Sequence, residues 1–143
     1  MELLNLDDFP LKTFDKIRYA DTDRQGHVNN ATFSTFLETG RVEVLYNAEF
    51  PVLFANSSFV IASLKLAFLK EIKWPGQVEI GTGILKTGNS SLHLYQQLFQ
   101  NGSCVATAET VIVQVDNNGG RSTPLTDTAK ETLAKWSLNF NSL

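Results

Sequence analysis

One cysteine and two histidines are all the soft ligands that 143 residues supply. Cys104 alone closes no intramolecular disulfide, and with His27 and His93 it makes no zinc-ligand set, so no metal and no cofactor is expected and a reducing, cytoplasmic setting fits. Positive charge is also scarce: 12 Lys and Arg against 15 Asp and Glu give a net charge of −3, with no basic run, which argues against nucleic acid as a partner. Long apolar runs are missing, since no segment approaches the roughly 20 residues that cross a bilayer, so no membrane partner is expected. The start, Met1 to Asp8, is acidic and lacks the basic lead and apolar core of a signal peptide. A Gly-x-Ser-x-Gly elbow, a P-loop and a dinucleotide-binding glycine fingerprint are all absent, which removes the usual serine-hydrolase, nucleoside-triphosphatase and Rossmann readings.

Apolar residues, in contrast, make up 43% of the chain, enough for one domain with a real core over 1–143. A strand-like run from Thr13 to Ala20 is followed by a helix-like run from Ala31 to Tyr46. Phe33, Phe36, Leu37, Gly40, Val44 and Leu45 fall on one face of that helix, with Asn29 or Asn30 as its N-cap. Gly40 costs about 1 kcal/mol of helix propensity relative to alanine, yet lies on the apolar stripe, where a missing side chain lets a sheet approach the backbone. From Phe59 the period changes to two: Phe59–Leu69, Val78–Leu85, Leu92–Phe99 and Val105–Val115 read as four strands of an antiparallel meander. Asn101-Gly102 marks a two-residue hairpin turn with positive φ at both positions. A short closing helix is expected from Pro124 to Trp136, capped by Ser122 or Thr123. The fold class is therefore α+β, a long helix against an antiparallel five-stranded sheet, and apolar residues on both faces of two strands hint at a dimer.

The chemically dense segment is Tyr19-Ala20-Asp21-Thr22-Asp23-Arg24-Gln25-Gly26-His27-Val28-Asn29-Asn30. It places two carboxylates, an imidazole, three amides and a glycine at the start of the long helix, where unpaired backbone N–H groups form a natural anion site. An ionised carboxylate beside such donors suits attack on a carbonyl and capture of the oxyanion that forms. Each residue also has a purely structural reading. Asp23 can cap a turn, Asp21 more naturally braces it, Gly26 can simply supply positive φ, and Asn29 and Asn30 can cap the helix. Glu38 and Arg41, three apart on the helix, suit an ion pair better than catalysis. His93 and Cys104 sit in strand patterns and receive no role.

The Asp21 to Asn30 segment, followed by Phe33, Phe36, Glu38 and Arg41, resembles the hotdog-fold acyl-thioester hydrolases, in particular the 4-hydroxybenzoyl-CoA thioesterase branch. The run His27-Val28-Asn29-Asn30 is also similar to the plant acyl-carrier-protein thioesterases, although Gln25 stands where those have asparagine. The resemblance implies a sheet wrapped around the central helix, dimers joined edge to edge or pairs of such dimers, and hydrolysis of an acyl-CoA or acyl-carrier-protein thioester at the dimer interface. It implies Asp23 as catalytic carboxylate, the Gly26-His27 peptide as donor to the thioester oxygen, and Gln25 and His27 as assisting groups. Substrate-binding candidates are Asn29, Asn30, Phe33, Phe36, Leu37 and Phe68 near the acyl group. Lys65, Lys70, Lys73, Lys86, Arg121 and the Asn89-Ser90-Ser91 turn are candidates for the phosphates and pantetheine arm. A hotdog hydratase or dehydratase, or a non-catalytic acyl-binding module, are the competing functions.

Overall fold

The computed structural model describes residues 3–139. Its elements are β1 (Leu11–Lys16), α1 (Asn30–Leu45), β2 (Ser57–Phe68), β3 (Gln77–Thr87), β4 (Ser91–Gln100), β5 (Ser103–Asp116) and α2 (Asp127–Ala134), with one-turn 3-10 helices at Leu6–Asp8 and Tyr19–Asp21. The five strands form one antiparallel sheet in the order β1-β3-β4-β5-β2. This is the hotdog arrangement, with α1 against the concave face.

Helix α1 starts where the sequence places it. The Asn29 side chain accepts a hydrogen bond from Ala31 N (3.0 Å), satisfying a donor the helix leaves open. All six residues of the apolar stripe are buried, joined by Arg41. At Gly40 the sheet comes as close as expected: a Cβ there would lie 2.6 Å from Gln96 Nε2 and Ile80 Cγ2 and 2.8 Å from Thr82 Oγ1. Gln96 uses the gap, its Nε2 donating to Leu37 O and Thr82 Oγ1 (3.0 Å each). The Asn101-Gly102 hairpin also forms, with φ of 52° and 81°.

Three expectations are corrected. The run from Thr13 to Ala20 is a strand only as far as Lys16, because Tyr19 to Asp21 turn into a 3-10 helix closed by Asp21 N donating to Arg18 O (2.9 Å). The meander holds only for β3-β4-β5: β2 lies beyond β5 at the far edge and does not pair with β3. Residues 69–76, which join β2 to β3, are too long for a tight hairpin and cross to the other side, tied down by Leu69 N and Lys70 N donating to Val105 O (2.9 and 3.1 Å). Finally, α2 begins at Asp127 with Thr126 as its cap, three residues later than expected. Gln114 Nε2 donates to Thr123 O and Pro124 O, and Leu125 N donates to Asn89 O, so the sheet holds this stretch extended.

The convex face of the sheet is covered in part by the ends of the chain: Phe9, Leu138, Tyr95 and Phe99 form a cluster there. Strand β2 has no such cover. Val60, Ile61, Leu64 and Phe68 on this twelve-residue edge strand are exposed. Among the described residues no helix is long and apolar enough to cross a membrane.

Candidate active site

The segment before α1 folds into a closed turn. Asp23 N donates to His27 O (2.8 Å), Gly26 N donates to Asp23 O (3.2 Å), and Gly26 adopts φ +78°, a conformation that L side chains rarely take. The turn is then pinned to the β2–β3 crossover by Val28 N donating to Ile72 O (2.7 Å) and Trp74 N donating to Gly26 O (3.3 Å).

The two aspartates take different positions. Asp21 is 4% exposed and fully engaged: its Oδ2 accepts from Arg18 N (2.8 Å) and its Oδ1 from Arg18 Nη2 (2.9 Å). Burial pushes its carboxyl upward, but the Arg18 side-chain bond, the Arg18 backbone N–H and the guanidinium charge together outweigh that and hold it below the ordinary carboxylate value. It is a brace. Asp23 is exposed and faces a cleft; its Oδ1 accepts from Gln25 N (2.8 Å) and His27 N (3.2 Å), and no bond among the described residues engages its Oδ2. One oxygen fixes the carboxylate while the other is left unbonded among the described residues.

The cleft has a volume of about 400 Å³ and is lined by Asp23, Gln25, His27, Val28, Asn30, Phe33 and residues 68–71. Phe33 and Phe68 meet edge to face, ring centroids 5.0 Å apart, and form its apolar floor. Lys70 and Glu71 come from the crossover, and Glu71 Oε2 lies 3.2 Å from His27 Nε2. Nothing in the local sequence marks Glu71, which is one charged residue in a loop; only the crossover brings it to the turn.

Several expected site residues stand elsewhere or are already occupied. The Gly26 and His27 N–H groups, expected to face the thioester oxygen, are spent on the Asp23 carbonyl and carboxylate. Asn30 N, at the first position of α1, has no intrahelical partner by construction, and its residue lines the cleft. The Asn29 side chain is used as the helix cap. Phe36 and Leu37 are buried in the core and do not line the cleft. Lys65 stands opposite Glu109 in the β2–β5 register and borders a separate cavity with Tyr95 and Thr107 on the other face of the sheet.

Asn89, Ser90 and Ser91 lie at the far end of β4 from Gln100, whose side chain bonds to Lys73 next to the turn. Ten residues at about 3.3 Å each separate the two ends by roughly 30 Å. Arg121 is at that far end as well, its carbonyl accepting from Asp116 N. The expected Glu38–Arg41 ion pair does not form among the described residues: Glu38 points to solvent, whereas Arg41 turns inward and is 5% exposed. Burial pushes the Cys104 thiol up, away from reactivity. Among the described residues no three His, Cys, Asp or Glu side chains cluster as a metal site requires.

Comparison with known proteins bears on the family and the fold. Residues 17–134 match the family model of the thioesterase-like superfamily. The uncharacterised protein YsmA of Bacillus subtilis (strain 168) is 29% identical over 119 residues, 82% of this chain and 80% of that protein. A predicted thioesterase from Bacillus stearothermophilus superposes with a TM-score of 0.79 at 29% identity, over 88% of this chain and 95% of that one. A thioesterase from Thermus thermophilus, solved with coenzyme A and zinc, superposes with a TM-score of 0.75 at 28% identity, over 89% and 93% of the two chains.

Proposed function

The chain belongs to the thioesterase-like superfamily, and from that premise we propose that it hydrolyses acyl-CoA thioesters at the Asp23 cleft. Thioester hydrolysis in general follows from the family; the substrate class and the residue roles are our reading. One observation carries it. Asp23 is held by two backbone N–H groups through a single oxygen, and its other oxygen opens on a cleft with an apolar floor beside the start of α1.

In this reading the acyl group rests on Phe33 and Phe68, and the thioester oxygen takes the Asn30 N–H at the positive end of the helix. Asp23 Oδ2 either removes a proton from a water that attacks the carbonyl carbon, or attacks that carbon itself. In the first route the C–O bond forms as water loses its proton to Asp23; the C–S bond then breaks and the thiolate takes that proton back. In the second, Asp23 Oδ2 bonds to the carbonyl carbon as the C–S bond breaks and thiolate leaves; water then opens the acyl–Asp23 anhydride, giving the acid and the free Asp23 carboxylate while its proton passes to the thiolate. His27, oriented by Glu71, and Gln25 flank the cleft and hold the thioester in place, and Lys70 at the rim meets negative charge on the thiol portion. The long exposed edge of β2 supports a homodimer, because an unpaired strand of this length is a template for a second strand.

A panel of acyl-CoA esters of different chain length and aromaticity, with free thiol as the readout, tests the reading. Release with at least one ester is expected. Single turnover in ¹⁸O water that leaves label in the Asp23 carboxylate identifies the anhydride route, with water attacking the Asp23 carbonyl. Acyl-CoA binding with no thiol release from any ester would overturn the proposal in favour of a binding module.

A further inference from the structure

Arg41 is the anomaly of the inner face. It is 5% exposed, its Nη1 is closed off with no hydrogen-bond partner among the described residues, and only the part of the side chain that borders a cavity is open to a second molecule. Burial pushes its guanidinium down from the ordinary value, and the one charge pushing back is Glu38, too distant for an ion pair. A buried charge with nothing opposite it among the described residues is destabilising, so an anion brought to it by a second molecule would be favoured. Arg41 borders a cavity of about 160 Å³ whose walls include Glu38, Val42, Val60 and Ile61, and this cavity opens along the exposed β2 edge.

We infer that the missing anion is Glu38 of a second copy of this chain, so that two reciprocal Arg41–Glu38 pairs fix the register of the dimer; this rests on the reading of β2 as the dimer seam. The patch is self-complementary. It carries one base and one acid, without an ion pair among the described residues and three residues apart on one helix, which suits a twofold interface: the same surface on both sides, each residue meeting the other's counterpart. Position agrees. Ile61 lies within two residues of the middle of the twelve-residue β2, so pairing two full-length β2 strands puts the axis beside it. Glu38 and Arg41 share the cavity wall with Ile61, and both copies' pairs therefore fall close to that axis. Apolar contact between the exposed Val60, Ile61 and Leu64 of the two copies would remove water from the pairs and strengthen them.

Equilibrium sedimentation of the native chain, Glu38→Arg, Arg41→Glu and the exchanged double variant tests this. Glu38 is exposed in a single chain, so Glu38→Arg leaves the fold intact, with the melting curve as the check. The native chain is expected to dimerise. Glu38→Arg should weaken the dimer at least about a hundredfold, from two close pairs each coupled by about 1.5 kcal/mol or more. The exchanged double variant should return to within about tenfold of native. A monomeric native chain overturns both the seam and the inference. A native dimer that Glu38→Arg leaves within threefold overturns the inference alone, as it would if Arg41 held a small carboxylate. Association is read by mass, so the outcome is independent of whether any thioester is cleaved.

Discussion

Two charges on or beside one helix are handled in opposite ways. At the start of α1 the Asp23 charge is exposed yet held, one oxygen taking two backbone donors; further along, the Arg41 charge is buried yet has no partner among the described residues. The first arrangement is complete within one chain, because a short turn can aim its own N–H groups at its own carboxylate. The second cannot be completed locally, because the acid three residues away points outward. A catalytic carboxylate needs a free oxygen on an open cleft, whereas a buried cation needs a match, and the difference separates the end of α1 proposed for chemistry from the part proposed to meet a second copy.

Gly40→Ala breaks the middle of the helix while leaving the turn alone. Its Cβ would sit 2.6 Å from Ile80 and Gln96, and overpacking of this kind costs about 1 to 3 kcal/mol, against about 1 kcal/mol regained in helix propensity. Net destabilisation in urea is expected; a more stable variant would mean that the sheet yields there. Gly26→Ala does the reverse. Nothing lies within 4 Å of the added atom, so the cost is the φ of +78° alone, about 1 to 2 kcal/mol, felt at the turn that orients Asp23. Thiol release should fall by a larger factor for Gly26→Ala than for Gly40→Ala, and the opposite ranking would contradict the division of roles.

The smallest effect is in acid. Asp21 is held below its ordinary value, so the unfolded chain binds its proton first as pH falls. Its stabilisation is present above the unfolded value near 4 and is lost as pH drops through the lower folded value. Asp21→Asn should flatten the decline of the urea midpoint below pH 4, and an unchanged decline would remove Asp21 from the account of acid stability.

Much of this was legible in the chain, and for local reasons. The Asn29 cap, the buried stripe with its gap at Gly40 and the Asn101-Gly102 turn are each decided by residues within a few positions of one another. Asp23, Gln25, His27 and Asn30 came together for the same reason. What the sequence did not disclose is tertiary. Pairing of β2 with β5 leaves no mark on either strand, so neither the far-edge position nor the arrival of Glu71 beside His27 could be read. The late start of α2 depends on Gln114, ten residues from Pro124. Lys65 and the Asn89 to Ser91 turn have the right chemistry for phosphates, but the strand period turns one away from the cleft and strand length carries the other to the opposite end.

The central claim, that Asp23 and not Asp21 is the reacting carboxylate, is tested most directly by measuring thiol release from one acyl-CoA ester by Asp23→Asn and Asp21→Asn side by side. Asparagine at 23 keeps an oxygen for the Gln25 and His27 N–H groups, so the turn persists, and kcat/KM should fall by about two orders of magnitude or more. Asp21→Asn should retain activity within about tenfold once folded. Native-like release by Asp23→Asn would contradict the account.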